Sequence, residues 1–501
     1  MIAKPALYLY NTMSRSKEPF VPIDGVTARV YSCGPTVYGT AHVGNMRTYI
    51  FMDCLRRVLK HNGYKLLHVM NITDVGHLVS DEDFGEDKMI KGARERNKTP
   101  WEIAEEYTRI FMDDAAALNI EIPGVVSKAT DHIPQMLEMV ERLVEKGYAY
   151  ELSDGIYYDI GAFDEYGKLS GLDLNEQRAG ARIEVNTEKR HPADFALWIK
   201  APEEHIMQWD SKWGAGYPGW HIECSAMSMH YLGDQIDIHT GGVDHIPIHH
   251  ENEIAQSDAY AGKRVVSRWM HGEFLLMDGG RMSKSLKNLY TLEDLKERGY
   301  DPLVFRYFCL NAHYRSKLNY TWEGMQSASV AYRRFVEGAL AHRDAGAPRD
   351  GVESGYLEEM SGLFDAAVND DLNIPKALGV AWQLIRSADK SGAVFELLLK
   401  MDKILGFGLA EAAAAQSSAG HSPAGQSPAG HSGDTRASAS GAPAYITGAA
   451  PQEILDLVHQ RDEARAAKDW ARSDELRNII KDKGFAVIDS KQGSKIEIIH
   501  K

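Results

Sequence analysis

Residues 28–74 carry the pattern that most limits how this chain can fold. The segment ARVYSCGPTVYGTAHVGNMRTYIFMDCLRRVLKHNGYKLLHVMNITD begins with an apolar stretch, passes through a glycine-containing turn, continues at helical spacing and ends in a second apolar stretch, Lys65–Ile72. A strand, a turn, an amphipathic helix and a second strand in this order form a βαβ unit with parallel strands. The sequence therefore predicts a parallel α/β sheet of the nucleotide-binding kind.

The same alternation of strand and helix returns later, after an interruption. Helical patterns cover Trp101–Leu118 and His132–Lys146, a hairpin-like stretch covers Ala149–Asp159, and a polar region follows up to about Lys212. Near Gly219 the strand and helix patterns resume, with QIDIHTGG leading into HHENEIAQ and then VVSRWMHGEFLLMDG. A parallel sheet interrupted by an insertion accounts for this order.

Three different patterns follow in the second half of the chain. After Asp301, apolar residues recur at helical spacing and predict a helical bundle. Residues 411–450 are rich in Ala, Gly, Ser and Pro and contain the pentads QSSAG, HSPAG and QSPAG, which predict a flexible linker. From Pro451 onward, two helical patterns and a two-stranded hairpin predict a small docking module.

Composition narrows the class of protein. The chain has 501 residues, of which 44% are hydrophobic, and a formal net charge of −15. A chain of that length can form two to four domains. Its negative charge argues against a protein that binds nucleic acid through a generally basic surface. No apolar run is long enough to span a membrane, and four cysteines in so long a chain indicate a reducing compartment. We therefore expect a cytoplasmic protein.

Four residues from three distant segments could form a zinc site. Cys33 and Cys224 supply thiols, and a helix through IHHENEIAQ would place His249 and Glu253 on one face, four residues apart. His250 follows His249 on a different face, so we do not assign it to the metal, and His239 and His245 are weaker candidates. The alternative is that both cysteines are ordinary core residues, which the spacing alone leaves open.

Two short motifs have the chemistry of a triphosphate site. AHVGN, with His42, Gly44 and Asn45, stands at the turn between strand and helix, where a glycine and the helix N-terminus can receive an anion. RMSKS, residues 281–285, follows an apolar strand and offers cationic side chains on a loop, which suits a clamp on phosphates. Read separately, His42 could simply cap a helix and RMSKS could be a solvated loop.

Together these motifs resemble the HIGH and KMSKS signatures of class I aminoacyl-tRNA synthetases. The flanking blocks YSCGPTVYGTAHVGN, NITD, GWHIECSAM, HTGGVD and HHENEIAQS are similar to those of the cysteinyl-tRNA synthetase family, over nearly the whole chain apart from the linker. The chain departs from HIGH at its last position, where Asn45 stands in place of histidine. Asparagine can still donate a hydrogen bond but cannot carry a charge.

The resemblance implies a fold and a division into domains. The fold class is α/β, with a Rossmann-like parallel-sheet catalytic domain that carries an insertion, followed by an α-helical bundle and a small α+β C-terminal module. The implied segments are the first half of the catalytic domain (1–123), an inserted connective domain (124–215), the second half with the zinc site (216–275), a stem-contact region with the RMSKS loop (276–320), a helical tRNA-binding bundle (321–410), the linker (411–450) and an anticodon-binding module (451–501).

The resemblance also assigns roles to residues. His42 and Lys284 are the implied catalytic residues, and Cys33, Cys224, His249 and Glu253 are the implied zinc ligands. Cys33, Thr73 and Trp220 are implied to surround the bound cysteine. The implied ATP-binding set is His42, Gly44, Asn45, Gly241, Gly242, Asp244, Arg281, Met282, Ser283, Lys284 and Ser285. In the C-terminal module, Arg465, Lys468, Trp470, Arg472 and Arg477 are the residues available to tRNA.

The implied reaction joins L-cysteine to tRNA-Cys at the expense of ATP, by way of cysteinyl-adenylate with release of pyrophosphate. One Zn²⁺ per chain would select the cysteine thiolate, Mg²⁺ would accompany ATP, and the protein would act as a monomer without a membrane partner. Because a required metal–sulfur bond separates cysteine from serine better than shape alone can, we expect no editing domain.

Three other functions remain as alternatives. A zinc-dependent cysteine ligase of the mycothiol pathway, which acts on an amino-sugar, shares these motifs but lacks the C-terminal module. A non-catalytic RNA-binding paralogue would need no intact His42 or Lys284. A nucleotidylyltransferase with only a HIGH-like motif would not account for the RMSKS loop or the zinc set.

Overall fold

The computed structural model describes most of the chain. The described residues are 5–76, 96, 98–171, 187–202, 205–280, 282, 288–345, 353–419, 452–466, 469–483, 485–490 and 493–498. They belong to two compact units, Met1–Ser422 and Pro423–Lys501. Of the helices in these described ranges, none is both long enough and apolar enough to cross a membrane.

A parallel sheet forms the centre of the first unit. Its described strands are β3 (Thr27–Ser32), β4 (Lys65–Ile72), β5 (Val125–Lys128), β10 (Ile236–Gly242) and β11 (Val266–Gly272), in the spatial order β11-β10-β3-β4-β5. Each neighbouring pair is parallel, so the carboxyl ends of all these strands lie at one edge. The predicted Rossmann-like α/β sheet is confirmed, and β4 has the bounds expected from the sequence.

Helices cover both faces of this sheet. They are α1 (Val43–His61), α2 (Pro100–Ala117), α3 (Ile133–Glu145), α4 (Trp220–Leu232) and α5 (His249–Ala261). The apolar side of α1 joins one large core with helical residues between 304 and 409 of the first unit, whereas α3, α4 and α5 join a second core. Every residue of β10 is buried, because helices cover both faces of the sheet. This burial explains why the strand is apolar or uncharged along most of its length.

Short antiparallel sheets lie outside the parallel sheet. An N-terminal hairpin pairs β1 (Tyr8–Asn11) with β2 (Ser16–Pro19). A second sheet has the spatial order β6 (Ala149–Glu151), β7 (Gly155–Tyr158), β8 (Phe195–Lys200) and β9 (Gly216–Pro218). Its first three strands lie in the predicted insertion, and β9 directly follows it. The hairpin expected at Ala149–Asp159 is present as β6 and β7. Strand β8 lies in the segment predicted only as a polar region, although most of this strand is buried.

The end of the first unit is mainly helical. Strand β12 (Leu275–Met277) pairs in parallel with β13 (Leu318–Tyr320). The helices are α6 (Leu292–Glu297), α7 (Pro302–Leu310), α8 (Trp322–Arg343), α9 (Glu353–Val368), α10 (Ile374–Ile385), α11 (Gly392–Leu405) and α12 (Leu409–Ala419). Helix α12 occupies the first part of the segment predicted as a linker, so a linker start at residue 411 is wrong. Its alanine-rich sequence has high helix propensity, which explains the difference.

A buried ionic cluster ties α1 to the helical region. Asp53 Oδ2 accepts hydrogen bonds from Arg57 Nε at 2.8 Å and from Arg306 Nη2 at 2.6 Å, and Asp53 Oδ1 accepts one from the backbone N–H of Glu121 at 2.9 Å. Arg306 Nε also donates to the carbonyl oxygen of Leu405 at 2.6 Å. The Asp53 and Arg306 side chains are fully buried. This cluster therefore joins α1, α7, the end of α11 and the loop after α2.

The second unit is a small α+β module. It contains α13 (Gln452–Ala466), α14 (Trp470–Asp482) and an antiparallel hairpin of β14 (Phe485–Ser490) and β15 (Gly493–Ile498). Its core is formed by buried apolar side chains, namely Ile454, Val458, Ile480 and Val487. The predicted order of two helices and a hairpin is thus present.

Candidate active site

The candidate site lies at the carboxyl edge of the parallel sheet. Cys33 directly follows β3, Thr73 follows β4, and Gly241 and Gly242 end β10. After β3, the next strand along the chain is β4, which lies on one side of β3. After β10, the next strand is β11, which lies on the opposite side, so the strand order reverses between β3 and β10. Ligands of open α/β sheets bind at such a reversal, outside the carboxyl ends of the strands.

The four side chains proposed as zinc ligands converge there. One ligand atom from each of Cys33, Cys224, His249 and Glu253 lies within 4.8 Å of the other three, and all four residues are buried. His249 Nε2 is 3.0 Å from Glu253 Oε1, and Cys33 Sγ is 3.8 Å from the same oxygen. Ligand atoms about 2.0–2.3 Å from a tetrahedral zinc ion are roughly 3.3–3.8 Å apart. The separations therefore suit zinc with only small adjustments.

Burial shifts the pKa of most groups in this cluster toward the neutral form. Burial raises the pKa of Glu253 well above its usual value. Burial lowers the pKa of His239 and of His250 well below the usual value, so these neighbouring rings are neutral near pH 7. A hydrogen bond from the Cys33 thiol lowers the pKa of Cys224, whereas burial raises the pKa of Cys33. A divalent cation would stabilise the ionised thiols and carboxyl group that burial otherwise disfavours.

His250 also lies close to the cluster. Its Nε2 is 3.3 Å from Cys33 Sγ and 3.8 Å from Glu253 Oε1, and it belongs to a second possible ligand set with Cys33, His239 and Glu253. Although His250 follows His249 on a different face of the helix, it still contacts the cluster. Glu253 follows His250 by three residues and His249 by four, so both histidines lie one helical turn from it. The set with two thiols is the softer one and suits zinc better.

Trp220 contacts this cluster, and Thr73 contacts the helix that carries Cys224. Trp220 begins α4, and its ring centroid is 4.7 Å from that of His249. The Thr73 hydroxyl donates to Glu223 Oε2 at 2.8 Å.

Close packing of the segment after Cys33 depends on Gly34, because a Cβ there would lie 1.7 Å from the Asn71 carbonyl oxygen. The residue after Cys33 must therefore be glycine in this geometry.

The HVGN motif forms the start of α1. The backbone N–H of Asn45 donates to His42 Nδ1 at 3.2 Å, and the backbone N–H of His42 donates to Asn45 Oδ1 at 3.1 Å, so the two residues form a capping box. Because Nδ1 accepts, the proton of the neutral ring lies on Nε2, which can donate to an anion. A Cβ at Gly44 would lie 2.9 Å from the His42 ring. Asn45 thus has a capping role, whatever it contributes to ATP.

Of the RMSKS motif, the structure describes Met282. Met282 Sδ lies 3.2 Å from the position of a Cβ on Gly44, which places this part of the loop against the HVGN turn. After the loop, the Tyr290 carbonyl oxygen accepts from the Val43 N–H at 2.8 Å, and Thr291 forms a bridge with His42. Backbone hydrogen bonds therefore join the HVGN turn to the segment that follows the RMSKS loop. The remaining motif residues lie outside the described residues, namely Arg281, Ser283, Lys284 and Ser285.

The two glycines that end β10 lie close to side chains of the residues that follow them. A Cβ at Gly241 would lie 2.6 Å from His245 Nδ1 and from His250 Cε1, and one at Gly242 would lie 2.2 Å from Asp244 Oδ1. Asp244 belongs to the short 3₁₀ turn Val243–His245. Contacts of Gly241, Gly242 and Asp244 with adenosine stay a prediction.

The residues predicted to contact tRNA are spread over the second unit. Trp470 is 60% exposed at the start of α14. Arg472 and Arg477 are exposed on the same helix, and Arg472 pairs with Glu475 at 2.6 Å. Arg465 is half-buried at the end of α13, and Lys468 lies outside the described residues. The exposure of Trp470 is too large for a ring that packs between two helices of this unit.

Comparisons with known proteins concern nearly the whole chain. A family model described as tRNA synthetases class I (C) catalytic domain matches residues 19–330. Cysteine–tRNA ligase from Treponema denticola is 43% identical over 97% of this chain and 98% of the relative. Cysteine–tRNA ligase 1 from Burkholderia lata is 44% identical over 98% of this chain and 96% of the relative. The chain belongs to the cysteine–tRNA ligase family.

Membership of the cysteine–tRNA ligase family confirms the resemblance inferred from the motifs. Solved structures support the fold. Mycobacterium tuberculosis methionyl-tRNA synthetase in complex with methionyl-adenylate matches with a TM-score of 0.51 and 15% identity, over 79% of this chain and 93% of that one. LeuRS from Agrobacterium radiobacter, in a ternary complex with tRNA, matches with a TM-score of 0.55 and 12% identity, over 77% and 85%. At such identities the likeness concerns the fold alone.

Several residues around the thiols were not singled out in the sequence. His221 Nδ1 is 3.0 Å from His249 Nδ1, and His271 Nε2 is 2.7 Å from His250 Nδ1. The Tyr31 side chain is buried beside Cys33. The sequence held a weak signal for these two histidines. His221 lies in WHIEC, which begins a helix, and His271 lies in MHG, which ends a strand at the same sheet edge. A tyrosine inside an apolar strand carries no comparable signal.

Proposed function

We propose that this chain activates L-cysteine with ATP to form cysteinyl-adenylate and then transfers the cysteinyl group to tRNA-Cys. The observation that supports this function best is the buried group of two thiols, an imidazole and a carboxyl group beside the HVGN turn. A site for sulfur and a site for phosphate thus occupy the same sheet edge. Family membership makes the chain a ligase of this class.

In this proposal, Cys33, Cys224, His249 and Glu253 hold one zinc ion per chain. Bound zinc supplies a soft Lewis acid that favours a substrate thiolate over a hydroxyl group. Trp220 and Thr73 would then shape the space around the cysteine side chain. Because this selection acts at binding, the insertion needs no hydrolytic site for seryl-tRNA. We also propose that the protein is a cytoplasmic monomer.

Activation needs orientation and charge stabilisation more than proton transfer. The attacking carboxylate of cysteine is already ionised at neutral pH, so no general base is required. His42 Nε2 and the backbone amides that begin α1 would receive phosphate oxygens of ATP, which brings its own Mg²⁺. Lys284 and Arg281 would neutralise the charge that develops on the phosphates during transfer.

Replacing Lys284 with alanine tests this mechanism. Loss of one charge-stabilising group that acts in the transition state should lower kcat for cysteine-dependent ATP–pyrophosphate exchange by about 100- to 1,000-fold, with a smaller change in KM. Lys400→Ala, which removes an exposed lysine from α11, is the control and should exchange at the wild-type rate. An unchanged exchange rate in Lys284→Ala would contradict the role given to Lys284.

Trp470 tests the tRNA side of the proposal. If a base stacks on its exposed ring, Trp470→Ala should raise KM for tRNA-Cys by roughly 5- to 150-fold, the equivalent of about 1–3 kcal/mol of stacking. Exchange without tRNA should not change, and Trp470→Phe should recover most of the affinity because it keeps an aromatic face. An unchanged KM for tRNA in Trp470→Ala would show that this ring makes no such contact.

The acceptor of the cysteinyl group separates this function from the alternatives. The wild-type protein should catalyse cysteine-dependent exchange and then charge tRNA-Cys, and it should leave the amino-sugar of the mycothiol pathway unmodified. Transfer to the amino-sugar alone would favour the other cysteine ligase. Absence of exchange would favour a non-catalytic paralogue.

A further inference from the structure

Arg47 is a buried arginine on α1 whose charge meets backbone oxygen atoms. It lies two positions after Asn45 of the HVGN motif and is only 5% exposed. In the described part of the chain, the hydrogen bonds of its guanidinium group all go to backbone carbonyl oxygens. Burying a charge is costly unless hydrogen bonds satisfy it, so the segments that supply these oxygens are tied closely to Arg47.

The carbonyl oxygens belong to two segments that are far apart in sequence. Arg47 Nη1 donates to the carbonyl oxygen of Glu273 at 2.8 Å and to that of Phe274. Arg47 Nη2 donates to the carbonyl oxygen of Ser316 and, at 3.4 Å, to that of His313. The guanidinium group is planar and its donors point in fixed directions, so one side chain binds both segments at once.

These two segments lead into the strands from which the RMSKS motif begins. The first continues directly into β12 and the second into β13, and the two strands pair in parallel. After β12 comes a tight turn, in which the backbone groups of Met277 and Gly280 exchange hydrogen bonds at 2.9 and 2.8 Å. RMSKS follows this turn directly in the sequence. Arg47 therefore holds the strand pair that precedes the motif.

The chain that follows the motif is attached to the same helix. The Val43 N–H, at the start of α1, donates to the Tyr290 carbonyl oxygen at 2.8 Å. Val43 and Arg47 are one helical turn apart, about 6 Å along the axis. Helix α1 thus contacts the chain on both sides of RMSKS, and Arg47 makes the contact on the side of β12.

We propose that Arg47 is a positioning residue for phosphate transfer, because it fixes the β12–β13 pair, and with it the start of the RMSKS motif, relative to the HVGN turn. The inference rests on the proposed function, in which both motifs act on the same triphosphate. A misplacement of about 1 Å in such a site can cost roughly 100-fold in rate. The four proposed zinc ligands lie on other elements, so cysteine binding should not depend on Arg47.

Arg47→Met in the full-length protein tests this inference, because it removes the donors without leaving an unpaired buried charge. The kcat for cysteine-dependent ATP–pyrophosphate exchange should fall about 10- to 100-fold, whereas KM for cysteine should stay near its wild-type value. Arg47→Lys keeps the charge, but one ammonium group cannot span both segments, so this variant should recover only part of the rate. Full recovery in Arg47→Lys would contradict the role of the two-segment contact.

Combination with Lys284→Ala separates positioning from a general structural role. If Arg47 acts through the placement of RMSKS, Arg47→Met should lower the rate of Lys284→Ala much less than it lowers the wild-type rate, because the lysine is already absent. Two effects that multiply fully would overturn the inference. Each rate is measured well below the unfolding temperature of the variant concerned.

Arg57→Met is the matched control. Arg57 is also buried on α1, but its guanidinium group donates to Asp53 and to the carbonyl oxygens of Asn119 and Lys403. This variant should be less stable than the wild type and retain kcat within a few-fold. An equal fall of kcat in Arg57→Met, or a wild-type kcat in Arg47→Met, would overturn the inference while the proposed function stands. Absence of exchange in the wild type would overturn the proposed function itself.

Discussion

Cys224→Ser should lose its stoichiometric zinc and lower cysteine-dependent ATP–pyrophosphate exchange by at least about 100-fold. Removal of groups that merely support metal ligands costs up to about 100-fold in affinity or activity, so loss of a ligand should cost no less. The serine hydroxyl group stays protonated near neutral pH and cannot replace a thiolate. Metal content by elemental analysis and the exchange rate with cysteine are the two measurements.

Cys309→Ala provides the control for this experiment. Cys309 is also a buried free cysteine, but it lies in α7 and belongs to the other core of the first unit. This variant should contain one zinc ion per chain and retain the exchange rate within a few-fold. If Cys224→Ser keeps its zinc and its activity, the assignment of Cys224 as a ligand is wrong.

Asp53→Ala should be the most destabilising substitution that we predict. It would leave the guanidinium groups of Arg57 and Arg306 without the carboxylate that both contact, and the Arg306 side chain is fully buried. Breaking a buried ion pair by removing one partner costs about 3–5 kcal/mol, since the other charge stays buried and unpaired. Denaturant unfolding should therefore show a marked loss of free energy of unfolding in the first unit.

Asp113→Ala is the matched control for stability. Its carboxylate is 70% exposed and lies 3.9 Å from Arg109, one helical turn away. Exposed pairs of this kind contribute about 0.5 kcal/mol or less, because solvent screens both charges. Equal unfolding curves for Asp53→Ala and the wild type would show that the buried cluster contributes nothing to stability.

Elements with a strong periodic pattern were predictable from the sequence. The helix expected at Trp101–Leu118 is observed as Pro100–Ala117, and the strand Lys65–Ile72 is observed with the same bounds. Strand β8 was missed because its assignment depends on pairing with β7 and β9, which lie far from it in sequence. Local patterns predict an element when they alone determine which face is buried.

The sequence by itself determined the class of fold, the family and the residues able to bind a metal, because residue types and their spacing carry that information. Only the tertiary structure decided how these residues meet. It placed His250 next to Cys33 and gave Asn45 a capping partner in His42. Such contacts join segments from different strands and helices, and their distances follow from packing rather than from any local pattern.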